Sequence, residues 1–146
     1  MTLFLGACGG PALPVEGLPT GTLFITVAEN SVAESNFALE VSIAETPEAQ
    51  TRGLMGVEEL DEDAGMVFLH EEPSQSGFWM KDTLIPLSIA FWDESGEIVA
   101  SLDMEPCVEE PCEIYNPGVP WIGAVEANKG ALDGVVLGET TVRLER

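Results

Sequence analysis

A mainly β fold is predicted, an antiparallel β-sandwich or jelly-roll-like barrel carrying one or two short helices. Three features of the sequence predict it. About eight segments are short, apolar and rich in β-branched or aromatic residues, and turn-forming residues fall between them. Helix-like segments are too few to supply the crossovers of a doubly wound parallel sheet. The chain has 146 residues, the size of one domain, and 45% of them are hydrophobic, enough for a real core. The expected organisation is an N-terminal segment and tether over 1–20, followed by a single β domain over 21–146.

The elements follow in order. "GTLFITVA" (21–28) reads as a strand. "FALEVSIA" (37–44) alternates, with Phe37, Leu39, Val41 and Ile43 on one side and Glu40 and Ser42 on the other. In "TPEAQTRGLMG", Thr46 is a suitable N-cap, Pro47 a suitable first helical residue and Gly53 a stop. "GMVFLH" (65–70) and "SGFWMKD" (76–82) are the next strands, split by "EEPSQ". "PLSIAFWD" (86–93) and "EIVASLD" (97–103) flank the hairpin signal "ESG". "WIGAVEA" (121–127) is another strand, "NKGALDGVVLG" a short helix or turn, and "TTVRLER" (140–146) the closing strand.

Charge narrows the function. Five Lys and Arg oppose 26 Asp and Glu, a net charge of −21 that repels nucleic-acid phosphates and anionic lipid headgroups. The acids are dispersed, and none of their runs has the spacing of a calcium-binding loop. They read as a hydrated surface.

The N-terminus begins "MTLFLGACGGPALPVEGLPTG", in which "LGAC" resembles a bacterial lipobox with Cys8 as the lipidated cysteine. A Gly/Pro tether follows. Seven residues precede Cys8, none of them basic, so either the natural start lies upstream of Met1 or this is a chance apolar N-terminus, and the lipoprotein reading takes the first. Membrane contact is expected through that anchor alone. Cys107 and Cys112, in "EPCVEEPCEIY", are separated by four residues. A disulfide is favoured there over zinc, which needs two further ligands, while the single histidine, His70, is far away in sequence. The bridge implies an oxidising compartment, periplasm or cell surface.

A set of segments then identifies a likeness. "RGLMGVEELDEDAGMVFLH", "GFWMKDTLIPLSIAFWDESGEIV", "VEANKG" and "LGETTVRL" resemble domain of unknown function family 192. The likeness runs from Ala44 to the C-terminus, roughly two thirds of the chain. It implies a compact, mostly antiparallel β fold and frequent export, and it implies no established reaction. The sequence departs from the family pattern twice, with Asp82 in place of an asparagine and Ser88 in place of an aspartate.

The candidate site grows from "FWMKD". Alternation puts Phe78 and Met80 on one face and Trp79 and Lys81 on the other. Lys81 either lays its stem over Trp79 and pairs with a carboxylate, or joins Trp79 in recognising a polar ligand. Arg52, beside Gly53, is a second cation in a second family segment. Arg52 and Lys81 together could hold an anionic or polyhydroxylated ligand, or could pair with Glu126 or Asp82. The predicted ligand-binding set is Arg52, Trp79, Lys81, Thr83 and Glu126, with Glu126 expected to face outward because it alternates with Val125. Met55, Met66, Met80 and Met104 read as core. No catalytic residue, metal site or cofactor is predicted, and a monomer is expected. The functional expectation is an exported, non-catalytic binder of a small polar ligand or envelope component. The alternatives are an envelope glycan-acting enzyme using a carboxylate pair, and a divalent-cation or copper binder.

Overall fold

The structure, a computed structural model, describes residues 15–29 and 36–146. Cys8 and the first part of the tether lie outside the described residues. The elements are β1 (Thr20–Val27), β2 (Phe37–Ala44), α1 (Pro47–Arg52), β3 (Ala64–Ser74) and β4 (Phe78–Trp79), then β5 (Leu87–Trp92), β6 (Ile98–Met104), β7 (Ile114–Tyr115), β8 (Trp121–Asn128) and β9 (Thr140–Glu145). Seven strands form one sheet in the order β6-β5-β8-β3-β2-β1-β9, and β4 pairs with β7 apart from it.

The fold is mainly β, as the sequence predicts, and takes the form of a half-barrel. The sheet curls until its edges approach at one end. There the Val142 amide donates to the Gly96 carbonyl (2.8 Å), and Glu97 forms a bridge with Thr141. The sheet is mixed, because β2 and β3 run parallel while the other neighbours are antiparallel. A parallel pair needs a long crossover. The segment between Ala44 and Ala64, with α1 inside it, supplies one.

α1 is local chemistry fulfilled. The Thr46 hydroxyl accepts from the Ala49 amide (3.2 Å), Pro47 opens the first turn, and Gly53 ends the helix at φ 47°. The Gln50 amide donates to the carbonyls of Ala44 (3.3 Å) and Leu69 (2.8 Å), tying the helix to the ends of β2 and β3.

Alternation along β3 and β8 sends side chains to two apolar clusters, one on each face of the sheet. Leu23, Ile25, Val41, Ile43, Val67 and Val125 fill the first face without an interruption. Trp92 lies over Gly123, where an added Cβ would fall 2.2 Å from the indole ring, so only glycine fits. Met66, Phe68, Ile89, Phe91 and Ala124 belong to the second face, where Leu54 and Met80 pack on them from the loops.

One segment differs from expectation in detail. Strand pairing over 76–82 is confined to Phe78–Trp79, because Asp82 turns the chain at φ 55° and its carbonyl receives the Gly56 amide (2.9 Å). Asp, like Asn, tolerates this left-handed conformation. Of the two forms expected for the segment over 128–138, short helix or turn, it takes the second, as a series of turns. Cys107 and Cys112 are bridged, with Cα atoms 5.5 Å apart. The Cys107 amide faces the Met80 carbonyl at 3.5 Å, so the bridged loop lies against the "FWMK" segment.

Candidate functional site

The second face of the sheet carries a cavity of about 440 Å³, within the range of small-molecule sites. β3 and β8 lie beneath it, and the end of α1, β4, the turn after β4 and β7 surround it. Its apolar lining includes Phe68, Phe78 and Trp121. Phe78 meets Phe68 edge-on at 4.9 Å and Trp121 at 5.5 Å between ring centroids, and the Trp121 indole donates to the Ser76 carbonyl (2.9 Å). These contacts fix the aromatic wall.

Glu126 interrupts that wall. It sits in register with Met66 of β3 and Ile89 of β5, so apolar side chains flank it on both neighbouring strands. It is only 4% exposed and lines the cavity. Among the described residues no donor bonds its carboxyl group. Burial pushes its pKa from the ordinary 4.5 up to about 8, and no cation comes close enough to oppose the shift. At neutral pH it is a protonated acid with unused hydrogen-bonding capacity, aimed into a cavity.

The expected outward orientation of Glu126 is therefore corrected. Alternation with Val125 is real, but both faces of β8 are covered, as its burial pattern shows. A strand covered on both sides has no solvent face for a polar residue to occupy.

The other predicted residues line the same cavity. Arg52, the last residue of α1, lines it with its guanidinium paired to no carboxylate among the described residues. Lys81 takes the course expected of a snorkelling lysine. Its Nζ stands 5.3 Å from the centre of the Trp79 ring and 3.5 Å from Glu110 in the disulfide loop. Trp79 is 44% exposed, an open apolar plate at the mouth. The Thr83 hydroxyl donates to the Lys81 carbonyl (3.3 Å) and steadies the turn. Arg52, the segment with Trp79, Lys81 and Thr83, and Glu126, three separate parts of the sequence, thus border one space.

Sequence reasoning missed His70, Gln50 and Trp121 as lining residues. His70 packs edge-on against Trp121 (4.7 Å between ring centroids), and partial burial lowers its pKa by disfavouring the charged form. Ser88, where the family pattern has aspartate, is not part of this cavity. Its hydroxyl donates to Asp103 (2.7 Å) and accepts from the Gly130 amide (3.1 Å), a link between β5, β6 and the turn after β8. Of the methionines, Met66, Met80 and Met104 are buried in the core, and Met55 lies at the cavity. No group of three metal-binding side chains occurs among the described residues.

Comparison with known proteins places the chain. It belongs to domain of unknown function family 192 (DUF192, "Uncharacterized ACR"), which matches residues 28–141, most of its length. No curated protein matches. Two crystal structures share the fold. One, a protein of unknown function from Novosphingobium aromaticivorans DSM 12444, is 25% identical, with a TM-score of 0.77 over 93% of this chain and 94% of its own. The other, described as a "putative transcription regulator" from Sinorhizobium meliloti 1021, is 24% identical, with a TM-score of 0.76 over 87% of this chain and 95% of its own.

Proposed function

We propose that this protein is an exported cell-envelope domain that binds a small polar ligand without reacting with it. The observation that carries the reading is Glu126, a buried and unbonded acid at a cavity whose mouth is Trp79, Lys81 and Arg52. No buried side-chain oxygen among the described residues lacks a partner, so the Glu126 carboxyl oxygens open on the cavity, where a ligand can bond them. The aromatic lining offers apolar contact, and the cations at the rim offer charge-assisted bonds to oxygen. The disulfide in the loop beside Lys81 supports an oxidising compartment.

The chemistry of the lining favours binding over hydrolysis. Most glycosidases use two carboxyl groups that flank the scissile bond. Among the described residues Glu126 is the one acid lining the cavity, and the one histidine there has no serine or cysteine hydrogen-bonded to it. The test is a thermal-shift screen of sugars, organic acids, amino compounds and metal ions, run on the wild type and on Glu126→Gln. At least one small compound should raise the wild-type Tm and leave the variant unmoved. If no compound shifts the wild type, or both proteins respond alike, the cavity is not a binding site centred on Glu126.

A further inference from the structure

Arg52, an exposed cation without a carboxylate partner, and Glu126, a buried acid without a hydrogen-bond partner, line the same cavity. Of the five cations in the chain, Lys81, Lys129, Arg143 and Arg146 each meet a carboxylate. Arg52 alone does not, among the described residues, although acids outnumber cations 26 to 5. Glu126 is the one buried acid among the described residues, and no donor there bonds its carboxyl group. The two do not satisfy each other. No ion pair joins them, and the guanidinium does not pull the Glu126 proton off, which a cation at contact distance does to a carboxyl group.

We infer that the cavity takes a small zwitterion, a ligand whose primary ammonium group sits on Glu126 and whose carboxylate sits on Arg52. The inference rests on the binding reading above and names its ligand class. A neutral sugar would bond Glu126 but leave Arg52 without a counter-charge. A simple anion would suit Arg52 but face the repulsion of a chain carrying −21. An ammonium group is drawn by that same charge, and the aromatic faces of Phe78 and Trp121 tolerate a cation. Lys81 already shows the principle at the mouth, with its own ammonium over Trp79.

Binding of this kind moves a proton. Glu126 is protonated in the empty site and becomes a carboxylate when the ammonium docks, and its proton passes to solvent. The other titratable or charged groups around the cavity are His70 from β3, Arg52 from α1 and Lys81 after β4. β5 and β7 present none to it. Since the competent form is the ionised one, apparent affinity for an ammonium ligand rises as pH rises toward the Glu126 pKa. With that pKa near 8, the gain between pH 6 and pH 8 is about 50-fold. It levels off above that, until the ligand amine loses its proton near pH ~10.

The experiment is isothermal titration of the whole chain with 4-aminobutanoate and 6-aminohexanoate, and with hexylamine and hexanoate as the amine-only and acid-only controls. It is run from pH 6 to pH 9 in two buffers of different ionisation heat. The expected result is that an amino acid of the series binds more tightly than either control. Its affinity rises with pH, and its heat depends on the buffer through the released proton. Glu126→Gln should abolish the pH dependence and the buffer dependence. Arg52→Ala should narrow the difference between 6-aminohexanoate and hexylamine. Preferential binding of hexanoate with affinity falling as pH rises would overturn the zwitterion and leave the binding reading intact. So would pH-independent binding of a neutral sugar in the wider screen. Failure of every compound in both experiments would overturn the two together.

Discussion

The two faces of the seven-stranded sheet are buried to similar depth and are finished differently. On one face Leu23, Ile43, Val67 and Val125 close on each other, and Trp92 is seated on Gly123 with no room to spare. On the other, the same strands carry Met66, Phe68 and Ile89, but loops instead of strands cover them, and the covering leaves a cavity with Glu126 in its wall. One strand, β8, serves both faces, through Val125 and Ala127 on the first and Ala124 and Glu126 on the second. Close packing maximises stability. A cavity with an unbonded acid sacrifices some of it, and such a departure is what a binding site looks like in physical terms.

The difference should be visible in the pH dependence of stability, where the largest effect is expected. The folded state holds a proton on Glu126 between pH 4.5 and about 8, which the unfolded chain releases. Stability from this group is therefore fully present below pH 4.5 and is lost as pH rises to about 8. The full loss is on the order of 5 kcal/mol. Glu126→Gln should remove that slope, so that chemical denaturation separates variant and wild type at pH 9 and brings them together at pH 5. A constant difference across the range would show that the carboxyl group is ordinary.

On the closed face, Ile43→Ala should cost about 3 kcal/mol at every pH, from lost burial and the void left behind. Denaturant titration measures this, and ligand binding by the purified variant should be unchanged. A binding defect there would mean that the two faces are not independent. The disulfide loop lies at the border of the open face. Replacing Cys107 and Cys112 with serine should cost about 2 kcal/mol through the freed loop. It should also release Glu110 from Lys81, and binding should weaken more than global stability explains. The smallest effect belongs to Lys81→Ala. Its half-exposed pair with Glu110 is worth at most about 1 kcal/mol of stability. Unfolding of this variant at room temperature would make the segment a core element instead of a rim.

The sequence made the closed face easy to read. Alternating apolar runs in 37–44 and the hairpin signal at 94–96 lead directly to β2 and to the β5–β6 pair. Strand order was hidden, because alternation says which residues are buried and not which strand lies alongside. The parallel β2–β3 pair depends on a crossover whose direction no local signal encodes. Two-residue strands such as β7 are also too short to carry a period. On the open face, the residue types of Arg52, Trp79, Lys81, Thr83 and Glu126 were legible in the family segments. Their convergence on one cavity needed the fold. Glu126 was misread as outward for a specific reason, since a lone acid in an apolar strand signals a solvent face only if the sheet has one. The surrounding "WIGAVEA", apolar at nearly every position, carried the opposite signal of a strand covered on both sides.

The central claim is that Glu126 is a protonated acid at neutral pH, held in reserve for a ligand. Carbon-13 NMR of glutamate-labelled protein tests it directly, with the Glu126 carboxyl signal assigned by its absence from Glu126→Gln and followed from pH 4 to pH 10. The account predicts a single transition near pH 8, well separated from the bulk of the glutamates. A Glu126 transition at the ordinary value, alongside the surface glutamates, would contradict it.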